Sequence, residues 1–260
     1  MPKIAITGKG GVGKTTLAAL LAHIYAEAGD SVIAIDADPA ASLAYALGMP
    51  DELAAQVTPI AEMEDLIYER TGAKPGTTGG FFKLNPRVDD IPDRFSVTHR
   101  GVRLLQLGTI SAGGSGCICP ESAMLKMLVT HVVLYRDEAM ILDMEAGVEH
   151  LGRATAGAVD AFLIVVEPGR RSLGTARNIQ SLAADIGINR CYVVGNKVRD
   201  QADRDYIRDS LPSLEVIGFL SANPRAIEAD MRGEAIFDAV PELVEEAYQI
   251  AATFDEAMDT

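Results

Sequence analysis

The 260-residue sequence predicts an α/β fold, a doubly wound and mostly parallel sheet with helices on both faces. Three observations predict it. Apolar runs of strand length alternate with amphipathic stretches of helix length, the rhythm of successive βαβ units. Most of these runs are continuously apolar instead of alternating, as strands covered on both faces must be. The first of them, "KIAIT" from Lys3, leads directly into the glycine-rich "GKGGVGKTT" and then a helical pattern.

The elements follow in order. After "KIAIT" the expected strands are "SVIAID" from Ser31, "VRLLQL" from Val102, "AMILDM" from Ala139, "AFLIVVE" from Ala161, "CYVVGNK" from Cys191 and "EVIGFL" from Glu215. Helical stretches are expected between them at 15–28, 122–134, 173–186 and 203–211, with a last one at 242–258 closing the chain. The segment 71–100, which holds "KPGTTGGFFKLNPRVDDIPDR", has Gly and Pro clusters and no clear period. It reads as a surface excursion, or as a lid or partner-contacting segment. No repeat, low-complexity tract or linker divides the chain, so residues 1–260 are expected to form one domain.

Composition narrows the function. A hydrophobic fraction of 48% and a charged fraction of 23% are ordinary for a globular protein. The net charge of -14 argues against nonspecific binding of nucleic acid or anionic membrane, both of which need clustered Lys and Arg. No apolar run approaches the ~18 residues that span a bilayer. With no signal-like start either, a cytoplasmic location is the default expectation. Three cysteines are too few for a disulfide framework.

Gly8–x–x–x–x–Gly13–Lys14–Thr15 is a phosphate-binding loop in the strand–loop–helix context that such a loop requires. Gly8, Gly10, Gly11, Val12, Gly13, Lys14, Thr15 and Thr16 are the candidate ligands of ATP. Backbone N–H groups and the helix dipole would cradle its phosphates. Lys14 would reach the outer phosphates, and the Thr15 hydroxyl would ligate Mg²⁺. "AIDADP" puts Asp36 and Asp38 at a strand's carboxyl end, where α/β sheets bind ligands. "MILDMEAG" reads as a Walker B aspartate, Asp143, holding the magnesium shell, and a γ-phosphate-sensing Gly147. Asn196 of "VVGNK" suits a hydrogen bond to the adenine base and could equally be a turn residue.

Lys9, a second lysine in the loop, sits too early to fold back easily onto its own nucleotide. It resembles the signature lysine of the deviant Walker A group, which contains cell-division regulators, plasmid-partition ATPases and the nitrogenase iron protein. That resemblance implies a homodimer in which Lys9 crosses the interface to the partner's nucleotide and, with Lys14, Asp38 and Asp143, serves hydrolysis.

"GGSGCICPES" places Cys117 and Cys119 one residue apart before a helix. One chain supplies only half of a tetrahedral Cys₄ set, and a two-fold dimer would complete it. Four thiolates favour zinc, copper(I) or an iron–sulfur cluster, and square-planar thiolate sites suit nickel(II). The helix start should lower the thiol pKa values. Cys191 begins an apolar strand and reads as core.

"GKGGVGKTT", "IDADP", "GGSGCICPES", "DMEAGVEHLGRATA" and "VVEPGRRS", in this order, resemble the CooC-type nickel-insertion ATPases that mature carbon monoxide dehydrogenase. The likeness covers essentially the whole chain. It implies a nucleotide-switched dimer that binds nickel or zinc through Cys117 and Cys119. It also implies a nickel-dependent client enzyme, carbon monoxide dehydrogenase or acetyl-CoA synthase. After "DADP" the chain runs "AASLA", without the acidic or cysteine residues some relatives carry there. Asp38 is therefore the first choice for orienting the attacking water, with Asp36 second. Two rivals share the loop: a MinD/ParA-like positioning ATPase, and an electron-transfer ATPase resembling the nitrogenase iron protein. The acidic ending "PELVEEAYQIAATFDEAMDT" disfavours a membrane-binding version of the first.

Overall fold

The computed structural model describes residues 1–77, 81–108, 119–146 and 159–258. Eight strands form one sheet: β1 Lys3–Gly8, β2 Val32–Ala37, β3 Val97–His99, β4 Val102–Gln106, β5 Ala139–Met144, β6 Ala161–Val166, β7 Cys191–Val198 and β8 Glu215–Ser221. Their order across the sheet is β3-β4-β2-β5-β1-β6-β7-β8. All neighbours run parallel except β3, which pairs antiparallel with β4 at one edge. The seven strands expected from apolar runs are all present.

β1, β2, β5 and β6 are buried at every position, which explains their unbroken apolar sequences. Successive side chains still alternate between faces. In β5, Met140, Leu142 and Met144 enter one core, with the helices Pro120–Tyr135 and Arg170–Asp185. Ala139 and Ile141 enter the other, with the helices Lys14–Glu27 and Pro241–Met258. Among the described residues no helix is long and apolar enough to cross a membrane.

The segment 71–100 is less irregular than its sequence suggests. It contains a short helix, Ile91–Phe95, and the edge strand β3. Elements of three to five residues are too short to show a period, which is why none was legible. Arg70 donates to both oxygens of Asp90 at 2.9 and 2.8 Å, and Arg94 donates to Oδ2 at 2.8 Å. These guanidiniums hold the Asp90 carboxyl well below the usual carboxylate range. The backbone N–H of Gly76 donates to Oε1 of buried Glu121 at 3.1 Å, tying the segment to the helix that starts at Pro120.

That helix is also fixed at its far end. Lys3 Nζ, almost wholly buried, donates to the carbonyls of Val132, Arg136 and Glu138 at 3.3, 2.6 and 2.8 Å. A cation at a helix carboxyl end satisfies carbonyls that have no partner in the helix and opposes the dipole.

Candidate nucleotide site

The carboxyl ends of β1, β2, β5, β6 and β7 converge on residues 8–16. Register explains the convergence: Ile6 of β1 lies beside Asp143 of β5, which lies beside Asp36 of β2, while Gly8 lies beside Val165 of β6. Three glycines of the loop are held where other residues are strained, and a Cβ on Gly8 (φ +151°) would lie 2.4 Å from the Val165 carbonyl oxygen. Gly11 and Gly13 have φ of +78° and +95°, which other residues rarely adopt. A Cβ on Gly13 would also lie 2.1 Å from Asn196 Nδ2.

Lys14 opens the helix Lys14–Glu27 and is 6% exposed, with its ammonium 3.5 Å from Asp38 Oδ2. Asp38 Oδ1 also accepts from the Ala40 N–H at 2.9 Å. Ser42 Oγ donates to Thr15 Oγ1 at 3.4 Å, a long contact that leaves the threonine oxygen available to a metal.

Asp36 has a different environment. Its Oδ1 accepts from Asp38 N at 3.1 Å, and its Oδ2 accepts from Ser42 N and Leu43 N at 3.0 Å each. Burial pushes its pKa up, and these backbone donors pull against that rise. Its carboxylate is spent on the turn after β2, which leaves Asp38 as the strand-end acid facing Lys14. Asn196 is likewise turned to the loop: Nδ2 donates to Val12 O at 2.7 Å, and Oδ1 accepts from Lys197 N at 2.7 Å.

Asp143 is fully buried, and neither carboxylate oxygen has a hydrogen-bond partner. Burial pushes its pKa up to about 7; the nearby Thr15 hydroxyl pulls it down, Asp36 raises it, Lys14 lowers it and Asp38 raises it again. Thr15 is close enough to favour the charged form without reaching hydrogen-bond geometry, so both oxygens count as open. Two open carboxylate oxygens beside a threonine hydroxyl suit a hydrated Mg²⁺, a hard cation that prefers oxygen ligands.

A pH dependence follows. An unfolded aspartate titrates near about 3.9, so between there and about 7 the native state holds a proton that the unfolded chain has lost. Stability from this group therefore falls as pH rises from about 4 to 7. Asp143→Asn should raise the melting temperature of the nucleotide-free protein at pH 8, because the wild-type group is then a buried unpaired charge and the amide is neutral. The gain should shrink at pH 5, where the wild-type carboxyl is protonated. Thermal melts at the two pH values check this, and an equal gain at both would contradict it.

Beside the loop lies a cavity of about 750 Å³. Gly13, Thr15 and Thr16 line one part of it, and Asn196, Asn223 and Ile227 line others. Its size lies within the usual range for small-ligand pockets, roughly 300–1,000 Å³.

Sequence reasoning missed two residues. Lys197, with φ +56°, donates from Nζ to Gly11 O at 2.5 Å. Glu167, just beyond β6, lies 3.8 Å from both the Lys9 and Lys197 ammoniums. Both fall in stretches quoted above, "VVEPGRRS" and "VVGNK", but no spacing within those stretches gives them a role, because strand order brings them to the loop. Gly147 and Cys117 lie outside the described residues. Cys119 precedes the helix Pro120–Tyr135 and is buried. Among the described residues, no three His, Cys, Asp or Glu side chains gather as a metal-ligand set. Cys191 is partly buried against the core, with its thiol pushed up to about 11 by burial.

Comparisons with known proteins bear on the family and the fold. A profile of the CobQ/CobB/MinD/ParA nucleotide binding domain matches residues 3–236. The carbon monoxide dehydrogenase accessory protein CooC of Rhodospirillum rubrum is 45% identical over 250 residues, covering 96% of this chain and 95% of its own. An uncharacterized ATP-binding protein of Methanocaldococcus jannaschii is 46% identical over 237 residues, covering 90% of each chain. Among solved structures, the MinC:MinD cell division protein complex of Aquifex aeolicus superposes with a TM-score of 0.68 at 20% identity, covering 98% of this chain and 96% of that one. A ParA family ATPase from Chlorobium tepidum gives 0.66 at 15% identity, covering 97% and 98%. At those identities the two structures speak to the fold alone.

Proposed function

Because the chain belongs to the CobQ/CobB/MinD/ParA nucleotide-binding family, we propose that it is a homodimeric ATPase that loads nickel into a client metalloenzyme. The observation that carries this reading is the 45% identity, over 96% of the chain, to a carbon monoxide dehydrogenase accessory protein. Carbon monoxide dehydrogenase is accordingly the first client to test, with acetyl-CoA synthase second.

In this reading ATP lies with its phosphates on residues 8–16 and its nucleoside in the adjoining cavity. Mg²⁺, held by Thr15 and through water by Asp143, would neutralise charge on the outer phosphates. Lys14 binds those phosphates, Asp38 orients the attacking water, and Lys9 of each subunit reaches the other's nucleotide. Two Cys117–Cys119 pairs meet across the dimer and share one nickel or zinc ion as cargo. The net charge of -14 supports a protein without nucleic-acid or anionic-membrane partners, and in this reading it is cytoplasmic.

The test is to co-express carbon monoxide dehydrogenase with and without this protein and measure its nickel content. Equal nickel in both would end the proposal. The trans role of Lys9 has its own check. Lys9→Ala should leave ATP binding nearly unchanged, because Lys14 and the loop backbone remain. It should cut turnover by at least about tenfold, a modest share of what trans-acting cations supply in related chemistry. It should also abolish ATP-dependent dimers in light scattering. Unaltered dimers and turnover would make Lys9 an ordinary surface lysine.

A further inference from the structure

Glu167 has no place in the scheme above, yet the sheet puts it at a junction. β6 lies between β1 and β7, with Gly8 beside Val165 and Gly195 beside Val166. The residues just past or at these three strand ends are Lys9, Glu167 and Lys197, so one carboxylate sits between two ammoniums. Oε1 lies 3.8 Å from Lys9 Nζ and Oε2 lies 3.8 Å from Lys197 Nζ. The Glu167 backbone is itself fixed, its N–H donating to Ser172 Oγ at 3.1 Å and its carbonyl accepting from Gly169 N at 2.7 Å. Lys197 is fixed as well, by its bond to Gly11 O, and it lines the cavity beside the loop.

We propose that Glu167 is a positioning residue that holds Lys9 on its own subunit until a second, nucleotide-bound copy arrives. The inference rests on the reading of Lys9 as the lysine that crosses the dimer. The Glu167 carboxylate is then the group that Lys9 must leave. An acid at this strand end also repels the phosphates of the approaching copy, so both effects oppose dimer formation in the same direction. The contact is built to be broken: Lys9 and Glu167 are each about one-third exposed at 37% and 34%, so water screens the pair. It therefore raises the threshold for dimerisation without preventing it. Lys197 holds the other oxygen, so the carboxylate stays in place when Lys9 departs and can take it back after hydrolysis.

The test uses the full chain with a nonhydrolysable ATP analogue and reads the dimer dissociation constant by analytical ultracentrifugation. Glu167→Gln should tighten the dimer by about two- to fivefold, the range that exposed ion pairs cover. The ratio of wild type to variant should fall toward one in about 1 M salt, where the screening length is about 3 Å. A packing defect would not vanish with salt. Lys9→Ala, measured in parallel, separates the two ideas. If Lys9→Ala dimerises like wild type, the trans reading of Lys9 fails and this inference fails with it. If Lys9→Ala loses the dimer while Glu167→Gln leaves it unchanged or weaker, the holding role of Glu167 alone is overturned. Tightening that persists in full at high salt also overturns it.

Discussion

Lys14→Ala is expected to reduce ATP turnover at least about a hundredfold, the scale on which removing one preorganised electrostatic donor acts. The physical case rests on placement. Lys14 begins a helix whose amino end already favours anions, and its side chain is 6% exposed. Its ammonium therefore acts in a site where water screens little. Without nucleotide its counter-ion is Asp38, at 3.5 Å. Alanine removes the cation and leaves Asp38 repelling the incoming phosphates, so analogue binding should weaken as well. That separates Lys14 from Lys9, whose loss should spare binding. A malachite-green phosphate assay with a parallel binding titration reads both effects. Turnover within a few-fold of wild type would overturn the assignment of the loop.

The second large effect concerns metal. Cys117→Ser and Cys119→Ser, singly or together, should lose the bound metal while ATP binding survives, because neither thiol belongs to the loop. Removing two of four ligands from a shared site should cost more than the roughly 10–100-fold that losing an outer-shell partner costs. Elemental analysis for nickel and zinc, alongside the dimer fraction, makes the measurement. Metal should be found on dimers of the wild type only, since in the proposed site each chain contributes one pair. By reciprocity the metal should also favour the dimer. A full metal complement on a monomer, or on the double serine variant, would overturn the shared site. A broad visible absorption band after anaerobic purification would replace nickel or zinc by an iron–sulfur cluster.

How much of this was legible in the sequence depends on how each feature is encoded. β1, β2 and β5 announce themselves because burial on both faces forces continuous apolar runs. β3, with three residues, cannot. The helix Pro224–Arg232 was also passed over, although its punctuation is visible: Asn223 caps it, Pro224 opens it and Gly233 closes it with φ +64°. Its polar composition hid it, since it buries Ala229 alone and packs Ala226 partly against the core. In the site, Gly13, Lys14, Thr15 and Asp143 could be singled out as candidates because the loop and strand-end motifs hold fixed residue types at fixed spacings, and the register brings these strand ends together. Asp36 and Asn196 were visible as candidates, but their bonds to the backbone were not. Glu167 and Lys197 meet only because β6 lies between β1 and β7, a fact of topology that no local pattern carries.

Lys3 gives the helix Pro120–Tyr135 a further property. Its carboxyl end is bound to the strand that leads into the phosphate loop, and Glu121 in its first turn is bound to Gly76. The helix is thus held at both ends, a stiff strut that starts next to Cys119. Between two copies in a dimer, such struts would act as a ruler: a probe on the exposed Lys126 of each would report the tilt of one subunit against the other, not bending within either.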